Sequence, residues 1–367
     1  MSDFAFLGWD VGGAHLKRAA FDESGVLRAV DMAPCALWRG MDQLDAALAT
    51  LGPLPHLPSA VTMTGELVDL WPDRATGVTA LAAALGARLG PGCLIYAGPD
   101  GLVPASAAAA HVEGIASANW HATAAALATE VPCGVLVDIG STTTDLIPFS
   151  GGAVAARGFS DAERLASSEL VYGGVARTPV MALSPTLPFA GGFVPLMAEH
   201  FATTADIYRL TGDLPEHGDL HPAADGGPKT LDASARRLLR MVGRDLGPAT
   251  LEQARQLATY AAAVQLHMLH GALACVLSGA TLPTDAPIVG AGIGRFLAAR
   301  LAARVGRPYL DVGAVFTDDP ALAARAADCA PAVAVARLAF ARLAFDRLAF
   351  AGAPSHPRPS LTTPSLA

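Results

Sequence analysis

Two blocks of short apolar runs, about 130 residues apart, dominate the pattern of hydrophobic and polar positions along the chain. In each block the runs have the length of strands and are separated by turns that contain glycine or serine. The predicted strands are Phe4–Asp10, Leu16–Asp22 and Val26–Ala33 in the first block, and Gly134–Ile139, Thr144–Phe149 and Ala153–Gly158 in the second. The second block repeats the order of the first at the spacing of a whole domain, which predicts an internal duplication.

After each block, apolar residues recur at the spacing of helices, with a few shorter apolar runs between them. The predicted helices are Met41–Leu51, Thr76–Leu89, Ile115–Glu130, Asp232–Leu246, Thr250–Leu277 and Arg295–Val305, and the further strands are Ser59–Thr64, Cys93–Ala97 and Pro287–Val289. The segment Pro185–Pro195 is rich in Pro, Gly and Phe and is predicted to be a loop. Strands that alternate with helices in this way predict an α/β fold.

The duplication divides the chain into two predicted lobes. The N-terminal lobe spans residues 1–132, and the C-terminal lobe spans residues 133–350 with an insertion around 185–230. Residues 351–367 are rich in Pro, Ser and Thr and predict a disordered tail. Just before this tail, Arg-Leu-Ala-Phe occurs three times, beginning at Arg337, Arg342 and Arg347. A period of five residues drifts around a helix, so the pattern assigns these repeats no common face and no role.

Composition narrows the classes of function. The 367 residues carry a net charge of −8 and the pI is about 5.6, which argues against nucleic-acid binding through a basic face. The five cysteines include no Cys-x-x-Cys pair, which predicts free thiols in a reducing compartment. No signal peptide is predicted, and polar residues interrupt the longest apolar segments. We therefore expect a cytoplasmic protein that binds neither membrane nor nucleic acid.

The first two strands of each block are joined by a turn with the same chemistry. In both, a strand ends in an aspartate, Asp10 or Asp138, and one apolar residue leads into a glycine-rich turn. Two such turns facing each other would hold a diphosphate or a nucleotide, with Mg²⁺ on the two aspartates and phosphate oxygens on the backbone amides. The expected phosphate-binding positions are Gly12, Gly13, Gly140, Ser141, Thr142 and Thr143. The alternative for either aspartate is an ordinary turn-capping carboxylate.

Two cations and one further glycine segment are weaker candidates for the same site. Lys17 follows the first turn and Arg177 lies in a glycine-containing loop, so that each can pair with a phosphate oxygen. An exposed strand lysine and a surface salt bridge are the alternatives. The glycines Gly290, Gly292 and Gly294 join a predicted strand to a helix. They fit either a nucleoside or phosphate contact at the helix N-terminus or close helix–strand packing.

These three segments together resemble those of the acetate/sugar kinase–Hsp70–actin superfamily, and within it the hydantoinase/oxoprolinase-like branch. Three more segments, residues 62–69, 116–123 and 172–180, resemble the MfnF-like aminomethylfuran–tyramine ether synthases of methanofuran biosynthesis, whose bacterial relatives are described as tetrahydromethanopterin-linked one-carbon transfer pathway proteins. The resemblance covers roughly residues 4–310. It implies a two-lobed actin-like/ribonuclease H-like ATPase fold, built from duplicated βββαβαβα units around a central cleft.

The resemblance also implies a reaction. A transferase of this kind condenses an (aminomethyl)furanmethyl diphosphate with the phenol of a tyramine or tyrosine, either of which can be glutamylated, and forms an aryl ether with release of diphosphate. The implied cofactor is Mg²⁺ with no organic cofactor, and the implied partners are the two small-molecule substrates. The resemblance does not specify which of these acceptors is used. It also does not specify the oligomeric state, and a homo-oligomer is one possibility.

In such a reaction the phenol loses its proton as the ether forms, so a base is expected beside it. Glu66 at the end of a predicted strand is the first candidate, followed by Asp69, His15 and Asp145. Asn119 and Trp120 are candidates for the substrate pocket, because an indole offers a face to a flat ring. A capping role for Glu66 and a simple core role for Trp120 are the alternatives.

Two other classes of function remain open from the sequence. One is an ATP-dependent enzyme, either a small-molecule kinase or a hydrolase of the oxoprolinase/hydantoinase type, in which ATP is the cofactor. The other is a non-catalytic nucleotide-binding protein. The chain is short for an oxoprolinase and lacks an obvious second catalytic module, which disfavours the hydrolase.

Overall fold

A computed structural model describes residues 4–52, 57–247 and 250–351, with side chains to residue 342. The N-terminal part forms one six-stranded sheet with helices around it. Its elements are β1 (Phe6–Val11), β2 (His15–Phe21), β3 (Leu27–Pro34), α1 (Asp42–Thr50), β4 (Ser59–Met63), α2 (Arg74–Leu89), β5 (Cys93–Tyr96), β6 (Leu102–Pro104), α3 (Val112–Ile115) and α4 (Asn119–Glu130).

The remaining residues form a second sheet and most of the helices. In chain order the elements are β7 (Cys133–Ile139), β8 (Thr144–Ser150), β9 (Ala153–Val154), α5 (Asp161–Ala166), β10 (Leu170–Val171), β11 (Thr186–Phe189), β12 (Gly192–Pro195), α6 (Thr204–Thr211), α7 (Leu231–Arg240), α8 (Leu251–Gly279), β13 (Ile288–Ala291), α9 (Arg295–Val305), β14 (Tyr309–Asp311), α10 (Val312–Phe316), α11 (Pro320–Asp328) and α12 (Ala330–Ala351).

The two sheets repeat one arrangement around their first strand. Strand β1 pairs antiparallel with β2 and parallel with β4, and β7 pairs antiparallel with β8 and parallel with β13. The registers match as well, since Asp10 lies opposite Lys17 and Asp138 lies opposite Asp145. The predicted duplication and the two-lobed α/β fold are therefore confirmed.

The last helix packs against the first sheet although it follows the second sheet in sequence. Helix α12 contacts α4, β1 and β4. This approach requires small residues, because a Cβ atom at Gly8 of β1 would lie 2.0 Å from the carbonyl oxygen of Ala332. Buried alanines at 332, 334 and 336 line the helix. The alanine-rich, aromatic-poor composition thus allows a helix and a sheet to pack at short distance.

Several local predictions differ from the structure. Pro185–Pro195 is not a loop, since β11 and β12 form a hairpin there. The predicted helix Ile115–Glu130 is interrupted at Ser117, whose φ of 54° no helix accommodates. The strand predicted over Ala153–Gly158 is reduced to β9. The Arg-Leu-Ala-Phe repeats lie in α12, but the side chains beyond residue 342, and the whole of residues 352–367, lie outside the described residues.

Helix α8 is the one helix in the described chain that is long and apolar enough to span a membrane by length and composition. Its contacts are with α6, α7 and the second sheet. Its residues Ala254, Leu257, Leu269 and Leu273 belong to the hydrophobic core of that lobe. In this structure the helix is therefore part of the protein core.

Candidate active site

The two predicted turns face each other across one cavity of about 290 Å³, called here the central cavity. We call residues 10–17 the first turn and residues 138–145 the second turn. Most of the predicted site residues line this cavity: Asp10, Gly12, Gly13, His15, Lys17, Asn119, Asp138, Gly140, Ser141, Thr142, Thr143, Asp145 and Arg177. Four elements, β1, β2, β7 and β8, carry the two turns and fix their spacing.

Each turn is closed by the same backbone hydrogen bond. The amide of Gly12 donates to the carbonyl of His15 at 2.9 Å, and the amide of Gly140 donates to that of Thr143 at 2.9 Å. These two amides are therefore occupied, so the expectation that they bind phosphate oxygens is wrong. In the described residues, the amides of Gly13, Ser141 and Thr142 donate to no protein acceptor. The amide of Thr143 also donates to no acceptor in the described part of the protein, so these four of the predicted positions are free to bind an anion in the cavity.

A lysine lines the cavity with the two aspartates and pairs with one of them. Lys17 Nζ is 3.2 Å from Asp10 Oδ2, and 22% of the lysine side chain is exposed. Burial is the largest single influence and lowers the pKa of Lys17, but Asp10, Cys329 and Asp138 together raise it by more, so that it lies above its usual value. Burial raises the pKa of Asp138 to about 7, although Lys17 opposes this shift. Lys17 is therefore positively charged near pH 7. The charge of the Asp138 carboxyl group at that pH depends on which charged groups lie beside it.

The aspartates suit a magnesium ion by their chemistry. The Oδ1 atom of Asp10 is buried without a hydrogen-bond partner. No cluster of three or more His, Cys, Asp or Glu side chains in the described part of the chain has the spacing of a protein-only metal site. Two carboxylates with an unpaired oxygen fit Mg²⁺, which takes many of its ligands from water and substrate phosphates.

The glycine segment that begins in β13 supports the second turn and does not line the cavity. A Cβ at Gly292, whose φ is 77°, would lie 2.4 Å from the carbonyl oxygen of Ile139 and 2.5 Å from Oδ1 of Asp138. The amide of Gly294 donates to that same carbonyl of Ile139 at 2.8 Å. A Cβ at Gly290 would meet the ring of Tyr309. The packing alternative thus describes the contacts of these three glycines, and their contact with a nucleoside or a phosphate stays a prediction.

The first candidate base lies behind the cavity wall. Glu66 is 2% exposed, and its Oε1 accepts a hydrogen bond of 2.9 Å from the hydroxyl of Ser117, which does line the cavity. Its Oε2 is buried without a partner. Burial raises the pKa of Glu66 to about 7 against these hydrogen bonds, which lower it. Glu66 reaches the cavity only through Ser117, a residue that sequence reasoning missed as a site residue.

The other candidate bases differ in position. Asp69 is exposed and does not line the cavity. Burial, and then the nearby His221, lowers the pKa of His15 to about 3, so this imidazole is neutral near pH 7. Asp145 forms a buried ion pair with Arg164, although burial still raises the pKa of Asp145. Only Asp145 and His15 therefore touch the cavity directly.

Trp120 is a core residue, 1% exposed, while its neighbour Asn119 lines the cavity. The guanidinium of Arg164 lies 4.5 Å from the centre of the Trp120 ring. Asp161, Arg164 and Tyr172 also line the cavity and were missed. The sequence held one signal for Asp161 and Arg164, because Ser160 and Glu163 form a capping box that marks the start of α5.

Comparison with known proteins places this geometry in a family. A family model described as Hydantoinase/oxoprolinase matches residues 59–339. The chain belongs to the hydantoinase/oxoprolinase family. The expected resemblance to the furanmethanamine synthase type within this family is confirmed by two curated relatives.

The first relative, from Methanocaldococcus jannaschii, is named "(4-{4-[2-(gamma-L-glutamylamino)ethyl]phenoxymethyl}furan-2-yl)methanamine synthase". It is 30% identical over 241 residues, which cover 65% of this chain and 72% of the relative. A protein of the same name from Methanococcus vannielii is 35% identical over 124 residues, covering 34% of this chain and 55% of that protein.

A solved structure confirms the fold. The nucleotide-free structure of an ATP-dependent acetone carboxylase superposes with a TM-score of 0.55 at 10% sequence identity, and covers 84% of this chain and 68% of that one. At such low identity the match establishes the shared two-lobed fold alone. This member of the hydantoinase/oxoprolinase family thus has an actin-like fold. Its central cavity lies between the turns of the two lobes.

Proposed function

We propose that this protein is a transferase of methanofuran-type cofactor biosynthesis. It joins an (aminomethyl)furanmethyl diphosphate to the oxygen of a phenolic acceptor and releases diphosphate. The observation that carries this proposal is the meeting of the first and second turns at one cavity, which Asp10, Lys17 and Asp138 all line. The names of the two curated relatives describe a phenoxymethyl-furan product, which supports a furanmethyl donor and a phenolic acceptor.

The cavity has the donors that a leaving diphosphate needs. Free amides of Gly13, Ser141 and Thr142 point to anion binding, and Lys17 and Arg177 add positive charge. Each charge-assisted hydrogen bond contributes about 1.5–3 kcal/mol. Such donors accelerate departure when they are preorganised around the charge that develops on the leaving group. Asp10 and Asp138 would hold a bound Mg²⁺, which neutralises that charge further.

The acceptor needs a route for its proton. As the bond between the furanmethyl carbon and the diphosphate oxygen breaks, the electron pair leaves with diphosphate and the phenol oxygen bonds to the carbon. The phenol proton passes to the hydroxyl of Ser117 while that hydroxyl gives its own proton to Glu66. With a pKa of about 7, Glu66 is in the range that suits a general base near neutral pH.

One assay with three substrate arms tests the proposal. Purified protein and Mg²⁺ are incubated with the furanmethyl diphosphate and a phenolic amine, with the diphosphate alone, or with ATP and the phenolic amine. Diphosphate release that requires the phenol, together with an ether of the expected mass, supports the transferase. Release of ADP supports an ATP-dependent kinase or hydrolase instead, and ATP binding without any product supports a non-catalytic nucleotide-binding protein.

The remaining expectations belong to the same proposal. The enzyme class is a transferase of alkyl or aryl groups other than methyl, acting in the cytoplasm with Mg²⁺ and without an organic cofactor. Addition of EDTA to the first arm tests the metal. Phenol-dependent release that is unchanged by EDTA would remove the metal from the proposal while leaving the transferase in place.

A further inference from the structure

A second cavity of about 310 Å³ adjoins the central cavity and shares Arg177 with it. We call it the side pocket. Both lobes build it: Trp38 and Arg39 come from the single helical turn Leu37–Arg39 after β3, and the opposite wall comes from α6 and the loop that follows it. A molecule in the side pocket therefore spans the same cleft as one in the central cavity.

The acidic residues of the side pocket are already neutralised by the protein. Asp206 is 2.8 Å from a guanidinium nitrogen of the buried Arg237, and its Oδ1 also accepts a 2.7 Å hydrogen bond from Ser234. Asp219 is 2.7 Å from Arg209 and 3.4 Å from Lys229. Because both carboxylates have cationic partners within the protein, they need no cation from solution.

Two arginines of the side pocket lack such partners. Among the described residues, Arg39 and Arg177 have no carboxylate within salt-bridge distance. Burial lowers the pKa of Arg177, as expected for a partly desolvated cation without a partner. The pocket as a whole therefore has an unmatched positive charge, and an anionic group would complete it.

An aromatic ring lies beside these cations. The indole of Trp38 is 39% exposed, and its centre is 5.1 Å from the guanidinium carbon of Arg177 and 5.5 Å from the ring centre of His221. His221 donates from Nε2 to the carbonyl of Ala14 at 3.0 Å, which ties this wall to the first turn. A flat ring that packs near Trp38 is thus positioned beside both cavities.

We propose that the side pocket binds the carboxylate end of the phenolic acceptor. Arg39 and Arg177 hold the carboxylate, Trp38 contacts the aromatic ring, and the phenol oxygen extends into the central cavity. The product named for the two curated relatives contains a γ-glutamylamino group, and the pocket would bind the carboxylate of such a group or the α-carboxylate of a tyrosine unit, so that bare tyramine is a poor substrate. This inference rests on the proposed transferase function.

Arg39 provides the sharper test, because Arg177 also borders the central cavity. The variant Arg39→Gln removes the charge and keeps hydrogen-bonding capacity, and Arg240→Gln on the exposed surface of α7 is the matched control. For each protein, kcat/KM is measured with tyrosine, γ-glutamyltyramine and tyramine at saturating furanmethyl diphosphate. In the unmodified protein at least one carboxylate-bearing acceptor should exceed tyramine by about tenfold or more.

In Arg39→Gln that preference should fall about tenfold, mainly through KM, while Arg240→Gln keeps it. The better of tyrosine and γ-glutamyltyramine identifies the source of the carboxylate. Equal kcat/KM for all three acceptors in the unmodified protein, or an unchanged preference in Arg39→Gln, would overturn the assignment.

Binding measured without turnover separates this inference from the proposed function. Calorimetric titration of the protein, saturated with Mg²⁺ and inorganic diphosphate, uses the same three phenols. Tighter binding of a carboxylate-bearing phenol that is lost in Arg39→Gln supports the side pocket even if no ether is ever formed. Ether formation with no difference in binding between the phenols and no effect of Arg39→Gln would support the transferase and reject the side pocket.

Discussion

At the scale of single residues, Ser117 connects a strained backbone to the chemistry of the site. Its φ of 54° lies in the left-handed region that serine rarely adopts, and it stands between α3 and α4, where a continuous helix would carry the hydroxyl elsewhere. The cost of such a conformation is about 1–3 kcal/mol, and it persists only where the surroundings impose it. Here the result is a hydroxyl that touches both Glu66 and the central cavity.

The proton route predicts that Ser117→Ala and Glu66→Gln each lower kcat about 10²–10³-fold, because each removes the general base or its connection to the phenol. Single-turnover ether formation is the measurement. Ser278→Ala, an exposed serine of α8, is the matched control and should retain full activity. If kcat falls less than threefold in both site variants, another group takes the proton, and Asp145 is the next to test.

The metal assignment predicts that Asp138→Asn abolishes turnover while leaving the circular dichroism spectrum intact, since the amide keeps the shape of the side chain and loses the charge that holds Mg²⁺. Calorimetry with Mg²⁺ and diphosphate should show binding weakened at least about tenfold. The exposed Asp318→Asn is the control. Normal turnover in Asp138→Asn would defeat the metal assignment.

At the scale of elements, the sequence predicts those strands and helices whose hydrophobic pattern lies within a short stretch of chain. The hairpins β1–β2 and β7–β8 follow from alternating strands around glycine turns, and Arg295–Val305 was predicted with the bounds that the helix has. Helices of the insertion such as α6 were missed, because its polar and proline-rich surroundings hide the short periodic segments. The hairpin at Pro185–Pro195 was missed because proline usually excludes a strand.

The site was predictable where its residues are close in sequence and unpredictable where they are distant. Both turns were found from their own residues. The contact between Glu66 and Ser117 joins positions 51 residues apart, and that between His221 and Ala14 joins positions 207 apart. Such pairs depend on the packing of whole elements, which hydrophobic periodicity does not specify. The role of Gly292 was ambiguous for the same reason, since its contact with the second turn is tertiary.

Substitutions at two glycines test how the packing of whole elements affects stability. Gly271 lies inside α8 with open space around its Cβ position, so Gly271→Ala should raise the free energy of unfolding by about 0.5–1 kcal/mol. Gly292→Ala should lower it by at least about 2 kcal/mol and also reduce turnover, because its Cβ displaces Ile139 and Asp138. Urea unfolding gives both values. Equal effects of the two substitutions would show that the second turn does not depend on Gly292.

At the scale of the whole molecule, buried ionisable groups in the cleft make folding depend on pH. Burial raises the pKa of Glu66 from 4.5 to about 7, so the folded protein binds this proton more tightly than the unfolded chain does. Its stabilising contribution is therefore fully present below pH 4.5 and is lost as pH rises through about 7. His15 acts in the opposite direction, because its pKa is lowered from 6.5 to about 3 and its contribution is lost as pH falls. The total pH dependence is thus a difference between opposing groups, and only a matched variant isolates one of them.

Glu66→Gln removes one of these titrations and leaves the others in place. We therefore predict that the free energy of unfolding of the unmodified protein, relative to that of Glu66→Gln, falls by up to about 3 kcal/mol between pH 5 and pH 8, the linkage value for a shift of this size. Urea unfolding at several pH values measures this difference, and Glu199→Gln, an exposed glutamate, should show no such change. A difference that stays constant over this range would mean that Glu66 ionises as freely in the folded protein as in water. In that case it would also lack the neutral-range pKa on which the proposed proton route depends.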